Sequence, residues 1–108
     1  MPSTTIGRGN ILYDYMIQPT LTPVSVAANT SAEQNFTVKG LLLNDFIDIN
    51  CNALQTAGIG IANARVSAAD TLTILFQNST AGALVPAAAA YNINVSRAEF
   101  FPIPTSAV

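Results

Sequence analysis

Apolar and polar residues alternate in short runs along most of this chain, the period of a strand with one buried face. Leu72, Ile74 and Phe76 share one face of such a run, and Thr71, Thr73 and Gln77 the other, with Leu75 the exception. Tyr91, Ile93 and Val95 alternate with Asn92, Asn94 and Ser96, and Ile47, Ile49 and Cys51 with Asp48, Asn50 and Asn52. Val24 and Val26 flank Ser25, and Phe36 and Val38 flank Thr37. A helix through any of these windows would put asparagine and isoleucine on the same face.

Turn chemistry separates the runs. Ala28-Asn29-Thr30-Ser31, Lys39-Gly40, Asn44-Asp45, Ser67-Ala68-Ala69-Asp70 and Asn78-Ser79-Thr80-Ala81-Gly82 all fall between them. Strands at this spacing predict an all-β fold, a single antiparallel sandwich of jelly-roll or immunoglobulin-like type with about six to seven strands. The core strands are expected near 22–28, 33–39, 46–52, 59–66, 71–77 and 91–98. The glycines of Ala57-Gly58-Ile59-Gly60-Ile61 suit a bulge or a close backbone approach as readily as a regular strand. Ala87 to Ala90, after Pro86, reads as loop or at most one helical turn.

The ends have a different character. Ile11-Leu12-Tyr13-Asp14-Tyr15-Met16-Ile17 is rich in aromatics, and Phe100-Phe101-Pro102-Ile103-Pro104 ends the chain in an extended, proline-punctuated form. Residues 1–20 and 100–108 therefore read either as an ordinary strand and tail or as arms reaching a neighbouring subunit. The 108 residues suit one domain with one core.

Composition sharpens this picture. Half of the residues are hydrophobic and only 9% are charged, against about 25% in an ordinary soluble domain. Charge, above all lysine, normally guards exposed strand edges, and Lys39 is the only lysine. Surfaces so thinly charged are safer when covered by partner subunits, which points to an oligomer. A net charge of −2, with Arg8, Lys39, Arg65 and Arg97 scattered singly, lacks the basic footprint of nucleic-acid binding. No apolar run approaches the roughly 20 residues of a spanning helix. The opening residues Met1 to Arg8 have no signal-peptide core, so the expected site of synthesis and assembly is a cytoplasm. One cysteine, Cys51, fits a reducing compartment. The Asn-x-Ser/Thr sequons at Asn29, Asn35, Asn78 and Asn94 then read as by-products of composition.

Candidate chemistry is sparse. Without histidine there is no imidazole for a triad or a metal site. Cys51 lies on the apolar face of its strand and reads as a small buried hydrophobe. Asp45 and Asp48 fall on opposite faces, and Asp45 suits a turn. Gly58-Ile59-Gly60 lacks the further glycine and the Gly-Lys-Ser/Thr ending of a phosphate loop. Arg65 shares strand parity with Ile59 and Ile61, with Asp70 and Glu99 as candidate ion-pair partners. Asp14 between Tyr13 and Tyr15 could form a sugar-binding surface, or the aromatics could pack on a strand or an interface. No enzyme and no cofactor is expected.

The stretch from Pro23 to Arg97 has a wider resemblance. It includes Val26-Ala27-Ala28-Asn29-Thr30-Ser31-Ala32-Glu33-Gln34-Asn35-Phe36-Thr37-Val38, then Gly60 to Leu72, then Phe76, Asn78, Thr80-Ala81-Gly82 and the run Tyr91 to Arg97. In this order the chain resembles small β-sandwich structural proteins of tailed-bacteriophage virions. The resemblance implies a capsid decoration or cement protein, a trimer at three-fold positions that stiffens the joins between major capsid protein subunits on the virion surface. Its alternative is a host- or carbohydrate-binding module of a tail fibre, baseplate or adhesin. The family offers no functional residue to carry over. From their apolar, terminal positions, Ile11, Leu12, Tyr13, Tyr15, Met16, Ile17, Phe100, Phe101 and Ile103 are the candidate subunit and capsid contacts.

Overall fold

The computed structural model describes residues 9–107. Residues 1–8 of the candidate N-terminal arm, and residue 108, lie outside the described residues. The alternating runs become seven antiparallel strands among the described residues: β1 (Ile11–Ile17), β2 (Thr20–Leu21), β3 (Thr30–Thr37), β4 (Phe46–Cys51), β5 (Ile59–Ala68), β6 (Thr71–Asn78) and β7 (Ala89–Ala98). They form two packed sheets, a β-sandwich. In the first, β7 is central, with β1 and β2 along one edge and β4 along the other. The second has the order β3-β6-β5.

Both central strands carry the cleanest alternation, and both supply the core. Leu72, Ile74 and Phe76 from β6 face Tyr91, Ile93 and Val95 from β7, all fully buried. Each such side chain contributes about 1.5–3 kcal/mol by leaving water. β1 and β2 are in effect one edge interrupted at Gln18 and Pro19. The Pro19 carbonyl accepts from the Tyr91 amide at 2.9 Å, and proline has no amide to return.

Several turns place asparagine or aspartate where the backbone turns left-handed: Asn29, Asn44 and Asp70 all have positive φ. Ala69 and Asp70 close the β5–β6 hairpin between the paired residues Ala68 and Thr71. The Asp70 carboxylate accepts from the Gly40 amide at 2.8 Å, tying this hairpin to the turn that follows β3.

The structure corrects the expected elements in four places. Residues 22–28 are not a strand but the crossing between the sheets: Val26 makes one bridge to Leu84, and it is buried while Val24 is exposed. Pro23 removes a ladder donor, and the Gln34 side-chain amide binds both the amide and the carbonyl of Val24, as a neighbouring strand would. The strand expected at 33–39 runs Thr30–Thr37. Half of the alanine run is strand, because Ala89 and Ala90 pair with Leu21 and Thr20. After Ala98 the chain leaves the sheet and bends over 99–102, rather than continuing extended.

In β5 the register slips between Ile61 and Asn63, leaving Ala62 as the extra residue of a bulge. Ile59 and Ile61 pack on the core before it, and Ala64 and Val66 after it. The face changes parity at Ala62, so Arg65 points outward.

Candidate subunit interface

The antiparallel register gathers Ile11, Leu12, Tyr13, Phe100 and Phe101 at one end of the first sheet and leaves Tyr15, Met16 and Ile17 further along β1. Ile11 lies opposite Ala98 and Phe46 opposite Ser96, so β1 and β4 both begin where β7 ends. The Glu99 amide donates to the Asn10 carbonyl at 2.8 Å, which sets Phe100 and Phe101 beside the start of β1. Ile11, Leu12, Tyr13, Phe100, Phe101 and Ile103 each keep roughly half of their surface exposed.

The same end carries apolar residues that the sequence reading did not single out. Phe46 is 68% exposed, and Leu42 and Leu43 stand out from the loop before it, although Leu41 is fully buried. Phe46 was detectable: it shares strand parity with Asp48 and Asn50, the polar face of β4. An apolar residue on a polar face is the signal.

Arg97 braces this end. Its Nε and Nη2 donate to the two carboxylate oxygens of Asp45, each at 2.8 Å, and Nη2 also donates to the Gly40 carbonyl at 2.9 Å. The guanidinium lies 5.8 Å from the centre of the Tyr13 ring, within cation–π range. Asp45 accepts a further bond from the Leu42 amide at 2.9 Å. Burial pushes the Asp45 carboxyl up, but the Arg97 hydrogen bonds, the Leu42 amide and the Arg97 charge together hold it below the usual aspartate range. The Asp45 hydrogen bond in turn raises Arg97. The loop that presents Leu42 and Leu43 is thereby fixed to β7.

β1 divides its residues between two faces. Tyr13, Tyr15 and Ile17 lie opposite Arg97, Val95 and Ile93 on the inner side, whereas Asp14 and Met16 lie opposite Ser96 and Asn94 on the outer side. Tyr15 and Ile17 are half-buried against the core, and Met16 is 70% exposed. The sugar-binding trio suggested by Tyr13, Asp14 and Tyr15 therefore does not converge. Asp14 faces away from both rings and accepts a long bond, 3.4 Å, from Ser96.

The outer face of this sheet is amide-rich: Gln18 donates to Asn92, and Asn92 donates to Asn50 and Asn52. Asp45 and Asp48 do not form an acid pair, since Asp45 is buried on Arg97 and Asp48 is exposed on that outer face. Arg65 pairs with Glu33, through Nε at 2.9 Å and Nη2 at 3.0 Å, and not with Asp70 or Glu99. The Ala62 bulge turns Arg65 to the outer face, where Glu33 reaches it across β6. The Arg65 hydrogen bond holds the Glu33 carboxyl below its usual range. Cys51 is half-buried against the core. No family model, no curated protein and no solved structure matches this chain.

Proposed function

We propose that the chain is a structural virion subunit of the capsid decoration type, which self-associates and binds between major capsid protein subunits on the shell. Its place would be the capsid surface, after assembly in a host cytoplasm, and a trimer is the stoichiometry that the sequence resemblance implies. The observation that carries the reading is the apolar end of the first sheet. There Ile11, Leu12, Phe46, Phe100 and Phe101 stand exposed at the end of the sheet where the Arg97–Asp45 pair ties the loop before β4 to β7. Burial of such a surface gains about 25 cal/mol per Å² before the costs of association. A brace that holds the loop in place lowers the ordering part of those costs.

Light scattering behind a sizing column, followed by addition of the protein to empty phage shells, tests the reading. The expected result is a stable oligomer that binds shells and raises their disruption temperature. Phe101→Ser and Phe46→Ser are expected to weaken both, with the folded midpoint unchanged. A monomer over a wide concentration range that ignores shells would overturn it.

A further inference from the structure

β1 is an edge strand, and the ladder reveals which of its backbone groups face outward. The 2.9 Å bond from the Tyr91 amide to the Pro19 carbonyl marks those two residues as a hydrogen-bonded pair. Hydrogen-bonded pairs recur at every second residue of an antiparallel ladder. The register continues without a slip through Ile17 and Ile93, Tyr15 and Val95, and Tyr13 and Arg97. Tyr13, Tyr15 and Ile17 therefore direct their N–H and C=O groups at β7. Asp14 and Met16 direct theirs away from it, where no strand pairs with them among the described residues.

The other edges are better covered. β4 and β5 face each other across a cleft lined by Ile47, Ile49, Ile61 and Ala64, and Gln34 holds the Val24 backbone against β3. β1 also lacks the usual guards of an edge. It has no lysine and no proline, its only bulge lies at its start, and its one charge is Asp14.

We propose that β1 pairs antiparallel with β1 of a second copy about a two-fold axis, which joins the first sheets of two molecules into one. A second copy is favoured because a two-fold contact uses the same strand twice. The edge is also continuous with Ile11, Leu12 and Tyr13 of the candidate interface. In such a pairing residues directly opposite share a face, so Tyr13, Tyr15 and Ile17 of one copy meet the same inner row of the other. Centred on Asp14, the pair would set carboxylate against carboxylate, which is destabilising. Centred one residue away, on Tyr15, Asp14 lies opposite Met16, and the outward N–H and C=O groups of the two residues match.

This inference rests on the self-association proposed above, and the oligomer number separates the two. A two-fold contact gives an even number of chains: a dimer of the 11.3 kDa chain, or a hexamer if the apolar end adds a three-fold contact. Met16→Pro removes only an outward N–H, the place where an edge strand tolerates proline. Met16→Lys adds an edge guard and leaves the backbone intact. Light scattering is expected to show an even-numbered wild-type oligomer, and both variants are expected to halve its mass or raise its dissociation constant by about tenfold or more. Circular dichroism checks that they remain folded, and should Met16→Pro unfold, Met16→Lys alone decides. A trimer, or an even oligomer that both folded variants leave unchanged, overturns the edge pairing and leaves self-association standing. A monomer overturns both.

Discussion

Arg97 and Asp45, 52 positions apart in sequence, meet as a buried ion pair, with 16% and 0% of their side chains exposed. Glu33 and Arg65 make a similar two-bond contact on the surface, with 40% and 53% exposed. Solvent decides the difference between them. A surface pair adds little, because water and salt screen it, whereas removing one partner of a buried pair strands the other without compensation. Asp45→Asn is therefore expected to lower stability by about 3 kcal/mol, the low end for a buried pair because Arg97 keeps some exposure. Glu33→Gln is expected to leave the urea midpoint within error of the wild type. Parallel urea unfolding curves check this ranking.

Acid should erase the first of those differences. Asp45 has a folded pKa below its unfolded one, so its contribution is present above the ordinary aspartate range and is lost as pH falls through the folded value. Unfolding free energies measured for wild type and Asp45→Asn across a pH series are expected to differ at neutral pH and to converge in strong acid. A gap that stays constant with pH would assign the effect to packing.

Gly58 is constrained twice. Its φ is +89°, where a side chain is strained, and a Cβ there would run into Cγ2 of Thr80. Gly58→Ala is expected to cost about 2 kcal/mol or more, well above the usual effect of exchanging glycine and alanine at a permissive site. Thr80→Ser removes that methyl while keeping the hydroxyl that donates to Asn78 and Gly82. The double variant should recover part of the loss, and thermal denaturation of the four proteins in the cycle measures it.

Asn78 is a buried fastener. Its Nδ2 donates to the Val26 and Gly82 carbonyls, and its Oδ1 accepts from the Thr80 amide and hydroxyl. Asn78→Ala strips the Thr80 amide of its partner and takes one of two donors from the Val26 and Gly82 carbonyls, at a cost of about 1–3 kcal/mol. Asn78→Asp keeps the shape but points a carboxylate at two carbonyls. It is expected to be least stable at neutral pH and to recover in acid, where protonation restores one donor.

The central strands were legible because β6 and β7 are flanked on both sides and packed on one, which imposes alternation on Tyr91 to Val95 and, Leu75 apart, on Leu72 to Phe76. What escaped the sequence is whatever depends on a distant partner. Val24 and Val26 alternate like a strand, yet Gln34 and Pro23 leave them no ladder. Arg65 has the parity of Ile59 and Ile61 until the Ala62 bulge shifts it. At the candidate interface, the apolar ends were visible as composition. Phe46 was visible only through parity, and the Arg97–Asp45 brace spans a separation that local patterning does not sense.

The central place of β7 has a consequence for how the chain reaches its fold. The strand that joins β1, β2 and β4 is the last of the seven to be synthesised, so none of those three can enter its sheet until β7 exists. The β5–β6 hairpin, closed by two residues, can form early, while β1 and β4 must wait as apolar, thinly charged segments. Pairings this distant in sequence are slow to form, and waiting strands invite aggregation. For this molecule, the window between synthesis of β1 and arrival of β7 is the stretch of its life in which a chaperone or a low nascent-chain concentration would matter most.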